Sequence, residues 1–462
     1  MGTGAGSTRI VLYSPSYAGH VLEAIPYTRY LWERSLCYLS DLRQEDAHLI
    51  MITPAPVDSH TLEYHFRDLY QFGDQQVRSA NERLTFLSPR PTPSRPLDAA
   101  VLADDEIMSR LVKEMKLGRN VSITNFAASP EATEIASVLG SGLDEPDPQL
   151  SARWGGKLGG KQILLRSSVA VPPGDPRLLT DEASVTAAAR RLTTGDRPAR
   201  QVVVKLDDSS WGSAIGNAVL DGERLLRTGD LRESVEVIHQ PWTDFVQELS
   251  RGGAIVEEYL PDVISSPSGI GQIAGDGAVT VTATHDQTLS LGEYMGARFP
   301  AGEQWRQQII RSVHRVGHTL SALGVRGTFG VDFVASATRG LHAVEINLRK
   351  VGPSHAVNYV ESVAGPLTDR HTRPGQDERP LHYLYRRVLQ PNTLRHLHPR
   401  VIVDRLRNAG LLYQHATGEG VILHMLGALS NCGFVELTSI AASHAAASAI
   451  DESALAVALR DL

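Results

Sequence analysis

The chain is poor in cysteine. Cys37 and Cys432 are the only two among 462 residues. They lie far apart and neither has CxxC spacing, which excludes a disulfide framework and a cysteine-held zinc site and fits a reducing cytoplasm. Long apolar runs are missing too. No uncharged apolar stretch reaches the roughly 18 residues that span a bilayer. The Gly-rich start, Met1 to Ser7, has no apolar h-region, and Gly6 stands where a myristoylation signal needs Ser or Thr. No membrane partner is expected. Nor is there an excess of one charge: the formal net charge is −7, which argues against a polyanion and so against nucleic acid. The first apolar strand lacks a following GxGxxG, so an independent dinucleotide site is not expected there.

What is present is an ordinary globular composition, 42% hydrophobic and 21% charged. Its length calls for roughly two to four domains. Hydrophobic patterning predicts strands at 9–13, 48–52, 84–87 and 121–124, with helices at 27–42 and 104–116. A turn is expected at Ser14-Pro15-Ser16 after the first strand. Strands alternating with helices predict a three-layer α/β domain with a parallel sheet over 1–150. Pro146, Pro148 and the Gly155-Gly156 pair mark its end. A second domain, 151–365, opens on a helix starting at Lys157 and carries strands at 201–206, 254–259, 279–284, 327–334 and 342–348. Residues 365–380 are polar and rich in Pro and Gly, as a linker would be. In the last segment, 366–462, helical periodicity at 381–389 and 401–409 and an apolar strand at 420–426 predict a small C-terminal α/β domain.

The chemistry concentrates at 342–349, which reads His-Ala-Val-Glu-Ile-Asn-Leu-Arg. Because side chains on a strand alternate, Glu345, Asn347 and Arg349 are expected on one face and Val344, Ile346 and Leu348 on the other. Glu345 and Asn347 offer hard oxygen ligands suited to Mg²⁺, and Arg349 can then face a phosphoryl group. Asp332 lies on the preceding strand and is expected to pair with Glu345 across a turn at Thr338-Arg339-Gly340. A solvated hairpin face is the competing reading, disfavoured because the face beside Asp332 is polar throughout.

Lys205 ends an apolar strand and precedes a Ser/Gly loop that includes Ser210, Gly212 and Ser213. Such a loop can bring backbone N–H groups to phosphate oxygens, although alone it reads equally well as a hairpin turn. The strand end Glu257, Glu258, Tyr259, Leu260 could hydrogen-bond an adenine through its backbone and Glu257; taken alone, an ordinary strand edge is the stronger reading. His285, Gln287 and Arg298 are candidates for the substrate side, Arg298 as a bidentate donor to a carboxylate or acyl-phosphate; for His285 a hydrogen-bonded structural role is slightly ahead. His396 and His398 have no acidic or cysteine neighbour and read as a turn rather than a metal site.

Lys157, Lys205 with its Gly/Ser loop, Glu257 to Leu260, Asp332 and Glu345-x-Asn347-x-Arg349 occur in the order found in the ATP-grasp superfamily of carboxylate-amine ligases, which 151–365 resembles. The whole chain, including Ala283-Thr284-His285-Asp286-Gln287 and Gly296-Ala297-Arg298-Phe299-Pro300-Ala301, resembles the pheganomycin-type peptide ligases. These join an amino-acid-like carboxylate to the N-terminus of a peptide. The resemblance implies an α/β (α+β) ATP-grasp fold with a parallel-sheet N-terminal domain, and the use of ATP and Mg²⁺. It places Lys157 and Lys205 on the α- and β-phosphates, with Glu257 and the Tyr259-Leu260 backbone at adenine. Asp332, Glu345 and Asn347 then bind Mg²⁺, and Arg349 stabilises the transferring phosphoryl group. An amino-acid-like acyl donor, a peptide acceptor and a homodimer, the common state of such ligases, are also implied. Where a ribose-binding acid is expected, Ile264 stands instead, with Asp262 as its nearest substitute. Carboxylation of bicarbonate is a rival, weakened by the lack of a biotin-accepting domain. A non-catalytic ATP scaffold is another, weakened because binding alone would not need three metal ligands and Arg349.

Overall fold

The computed structural model of the chain describes residues 6–13, 25–90, 95–116, 119–207, 215–290, 293–367 and 380–460. Its strands, in chain order, begin with β1 (Ser7–Leu12), β2 (Ala47–Ile52), β3 (Leu84–Leu87) and β4 (Asn120–Asn125). They continue with β5 (Gly174–Leu179), β6 (Gln201–Leu206), β7 (Asn217–Asp221), β8 (Val235–Ile238), β9 (Ala254–Glu258), β10 (Val263–Ser265), β11 (Pro267–Ile273) and β12 (Val279–Ser290). Last come β13 (Glu293–Phe299), β14 (Gly327–Ser336), β15 (Gly340–Asn347), β16 (His382–Leu389), β17 (Gly420–His424) and β18 (Phe434–Ala441). Two compact units result. One contains Met1–Pro148, Gly296–Pro300 and Gly352–Leu462; the other contains Gln149–Met295 and Ala301–Val351.

In the first unit β1 to β4 form a parallel sheet in the order β3-β2-β1-β4. Its strands are near-continuous apolar runs, as strands covered on both faces must be. Ile10, Leu12, Ile50, Ile52 and Leu87 pack with Val101, Ile107, Leu111 and Ile135 from the flanking helices Leu97–Leu102, Asp105–Met115 and Pro130–Val138. Two of those helices start at a capping side chain, the first of them at the expected Asp104. Asp104 Oδ1 accepts from the amides of Glu106 and Ile107, and Ser129 Oγ accepts from that of Ala132 with Pro130 next in line. The expected helix at 27–42 forms, but winds as a 3₁₀ segment, Pro26–Arg43.

The later part of this unit departs from expectation. Residues 381–389, expected to be helical, form the strand β16, which pairs with both β13 and β18. Tyr383 and Tyr385 are fully buried in it, and aromatic residues favour a strand once two neighbours supply the ladder. β18 was not expected at all. All eight of its residues are buried, Glu436, Thr438 and Ser439 included, so no polar alternation marks it in the sequence. The linker expected at 365–380 lies mostly outside the described residues.

The second unit holds two sheets. β5-β9-β6-β7-β8 is antiparallel. Val202, Val204, Leu206, Ala254 and Val256 face the helices Glu182–Thr194 and Trp242–Gly252 through Val185, Ala189, Phe245 and Leu249. By the period of two, Val203, Lys205, Ile255 and Glu257 face the other way. In the second sheet β14 pairs β11 and β10 on one edge and β15 on the other, with β12 beyond β11. Phe329, Val331, Phe333, Leu341, Ala343, Ile346 and Leu348 pack there with Ile309, Val313, Val316 and Leu320 of the helix Glu303–Ala322. No helix among the described residues is long and apolar enough to cross a membrane.

Candidate active site

The second unit brings most of the predicted residues together. Lys157 is the first residue of the helix Lys157–Arg166. Asp207, at the end of β6, fixes that helix start: its Oδ1 accepts from the Leu158 amide at 2.6 Å and its carbonyl from the Lys157 amide at 3.3 Å. The Lys157 side chain then reaches β15, with Nζ 2.7 Å from Glu345 Oε1. Lys205, on the helix-free face of β6, places Nζ 2.6 Å from Glu257 Oε2 and 3.3 Å from the Val344 carbonyl.

Asp332 and Glu345 sit directly opposite each other on the β14–β15 hairpin, joined by the expected turn. A β-bulge follows at once: Asp332 faces Glu345 but Phe333 faces Ala343, so Val344 is the extra residue. The expected face pattern is corrected in this one respect. Leu341 and Ala343 point to the core before the bulge and Ile346 and Leu348 after it, while Val344 is absent from the core cluster. Without the extra residue's offset, a ladder holding Ala343 in the core would turn Glu345 and Asn347 inward as well. Asp332 accepts from Gln287 Nε2 at 2.6 Å and from Asn347 Nδ2 at 2.9 Å. Ser268, opposite Asp332 on β11, buries a hydroxyl with no partner among the described residues.

The two carboxylates are driven apart in proton affinity. Burial first, then the Glu345 charge, raise Asp332 above the ordinary carboxylate range. Burial would raise Glu345 too, but Lys157, Lys205 and Arg349 outweigh it and hold Glu345 down. Arg349 donates to the Lys350 carbonyl at 3.2 Å. His285 is fully buried on β12, and burial pushes its imidazole down to about 3, leaving it neutral.

Glu257 and Glu258 are less open than the sequence suggests. Glu257 is buried and its carboxylate lies between two lysines, Lys205 and Lys161, the latter 2.5 Å from Oε1. Burial opposes its charge, yet Lys205 and then Lys161 keep its carboxyl below the usual range. Glu258 Oε1 accepts from Arg339 at 2.9 Å. Tyr259 is half-exposed, its amide donating to Gln201 O, and Leu260 is buried. Sequence reasoning missed Lys161, although it stands four residues after Lys157 and so on the same side of the helix.

Ser210, Gly212 and Ser213 lie outside the described residues. Arg298 is exposed on β13, opposite Leu384, in the first unit. Asp262 is exposed, and accepts from Thr338 Oγ1 at 3.2 Å. His398 caps the helix Pro399–Asn408 through Nδ1, as fits a turn. Among the described residues no group of three or more His, Cys, Asp or Glu is placed to hold a metal. Asp332 and Glu345 are two carboxylates whose third neighbour is an amide.

Residues 402–454 match the family described as the PGM1 C-terminal domain. The chain is 49% identical over 460 residues to L-propargylglycine–L-glutamate ligase of Streptantibioticus cattleyicolor, covering 98% of this chain and 95% of that protein. Its fold is similar to that of biotin carboxylase from Campylobacter jejuni, solved with an ATP analogue (TM-score 0.61, 14% identity, 98% of this chain and 91% of that one). It is also similar to the biotin carboxylase domain of the Hydrogenobacter thermophilus 2-oxoglutarate carboxylase, solved with MgADP and bicarbonate (TM-score 0.57, 13% identity, 98% and 90%). At such identity the two structures speak for fold alone, whereas a 49% match along nearly the whole length fixes the family. The chain therefore belongs to the ATP-grasp carboxylate-amine ligases of the pheganomycin type, and is an ATP-dependent ligase.

Proposed function

We propose that the protein joins the carboxylate of one amino acid to the α-amine of a second amino acid, or of a peptide N-terminus, through an acyl-phosphate. The observation that carries this reading is the 2.7 Å pairing of Lys157 with Glu345, beside the contact of Lys205 with the same strand. Phosphate-binding cations and metal-binding carboxylates thereby belong to one cluster. The two amino acids in the relative's name support an amino-acid donor and an acceptor such as glutamate.

In this reading Lys157 and Lys205 hold phosphate oxygens. Val203, Val219 and Ile255 are buried on the face turned away from the helices and offer an apolar bed for adenine. The Tyr259 amide is taken by Gln201, so the edge of the base falls to Leu260. Asp332, Glu345 and Asn347 fit Mg²⁺: they supply hard oxygens, and Asp332, raised by burial first and then by the Glu345 charge, faces a second carboxylate whose repulsion a divalent cation would relieve. Mg²⁺ held by these three residues would supply charge neutralisation to the nucleotide's phosphates.

A donor carboxylate oxygen attacks the γ-phosphorus and the bond to ADP breaks. The amine nitrogen then attacks the acyl carbon, and phosphate leaves with the donor's oxygen and takes up the proton that the nitrogen loses. Arg349 faces the charge that spreads over the phosphoryl group in a loose transition state, so positioning and neutralisation suffice and no covalent nucleophile is needed. A cytoplasmic location, where ATP is plentiful, belongs to the same reading. The test is ADP release by the purified protein offered ATP with amino acids singly and in pairs. Release that needs two amino acids is expected. Release that needs bicarbonate, or none under any condition, contradicts the reading.

A further inference from the structure

Lys161, Glu257 and Lys205 form a buried charge triad with one carboxylate oxygen for each lysine, Oε1 to Lys161 at 2.5 Å and Oε2 to Lys205 at 2.6 Å. Lys161 also donates to the Pro172 carbonyl at 2.6 Å, which anchors it on the far side of Glu257 from Lys205. The side chains of Lys161 and Glu257 are 6% and 2% exposed, and that of Lys205 is 13%. Two cations on one anion leave a unit of positive charge with little access to water. Such a charge is costly in a low-dielectric setting unless an anion completes it.

We propose that Lys161 is a positioning residue for the nucleotide: it absorbs the charge of Glu257, so that the charge of Lys205 is left over for a phosphate. The proposal rests on the reading that Lys205 contacts ATP. With Lys161 absent, Glu257 would neutralise Lys205 entirely and hold it back from the ligand. Lys161 itself touches no ligand in this arrangement. Its effect runs through the carboxylate, and this is why removing the carboxylate as well should undo the damage.

The experiment is calorimetric titration of the full chain with MgADP, for wild type, Lys161→Met, Lys161→Met/Glu257→Gln, Lys161→Arg and Lys205→Met, with thermal melts alongside. Lys161→Met is expected to weaken ADP binding about tenfold or more. The double variant should recover to within about threefold of wild type, and Lys161→Arg should stay near wild type. A double variant no tighter than Lys161→Met overturns the proposal, because a purely structural lysine is not rescued by removing its partner. Should Lys161→Met fail to fold, the double variant against wild type carries the test, and a loss of about tenfold there overturns it. If Lys205→Met weakens ADP while Lys161→Met does not, this proposal alone falls. If Lys205→Met binds ADP like wild type, the underlying reading falls instead.

Discussion

Lys205 Nζ lies 3.3 Å from the carbonyl of Val344, the extra residue of the bulge beside Glu345. A regular ladder would commit that carbonyl to a neighbouring strand, whereas a bulged residue leaves its groups partly unpaired. The irregularity thus keeps Glu345 and Asn347 on the site face and gives Lys205 an acceptor.

Deleting Val344 tests this. Without it the strand alternates regularly from Leu341 to Asn347, so the fold should persist with a small change in melting temperature. Lys205 loses its acceptor, and ADP affinity measured by calorimetry should fall severalfold. Unchanged affinity would show that the bulge has no part in placing Lys205.

Arg349→Ala should abolish turnover and spare most of the ATP affinity, because the guanidinium is assigned to charge that develops during transfer. Single-turnover ADP formation and nucleotide titration separate the two effects. Near-normal turnover contradicts the assignment.

Stability should depend on pH through Glu33. Burial, only partly offset by the amide of Gly427, raises its carboxyl from the usual 4.5 to about 8. Between those values an unfolded Glu33 is ionised and the folded one is protonated, so folding takes up a proton. Its contribution is fully present below pH 4.5 and is lost as pH rises toward 8, by up to about 1.4 kcal/mol per pH unit. Glu33→Gln keeps an acceptor for Gly427 without the charge. Its melting temperature should exceed that of wild type at pH 8 and match it near pH 5, and equal shifts at both values would contradict the account.

Glu436 is the hub of a buried network, accepting from Arg34 and lying near Arg387, with His355 Nε2 3.0 Å from its Oε2. Burial opposes its charge, but Arg34 and His355 hold its carboxyl well below the ordinary range. Glu436→Ala strands Arg34 without its counter-charge and should cost about 3–5 kcal/mol in denaturant unfolding. A loss below about 1 kcal/mol would mean that water or another acid compensates.

Much of this site is legible in the sequence because its chemistry sits on a strand with period two. Asp332, Glu345 and Asn347 could be placed on one hairpin from their residue types, the turn and the apolar partners. The bulge could not, since Val344 suits a regular strand as well as an irregular one. Lys161 was missed because its partners, Glu257 and Pro172, come from distant segments of the chain. β16 and β18 were misread or missed for a related reason: pairing on both edges buries polar and aromatic side chains alike and removes the alternation that patterning relies on.

The most direct measurement follows the donor's own oxygen. With the carboxylate of the donor amino acid labelled with ¹⁸O, ligation through an acyl-phosphate must deliver one labelled oxygen to the released inorganic phosphate, which mass spectrometry of that phosphate would register. Phosphate free of label, or label carried away on AMP, would contradict the account.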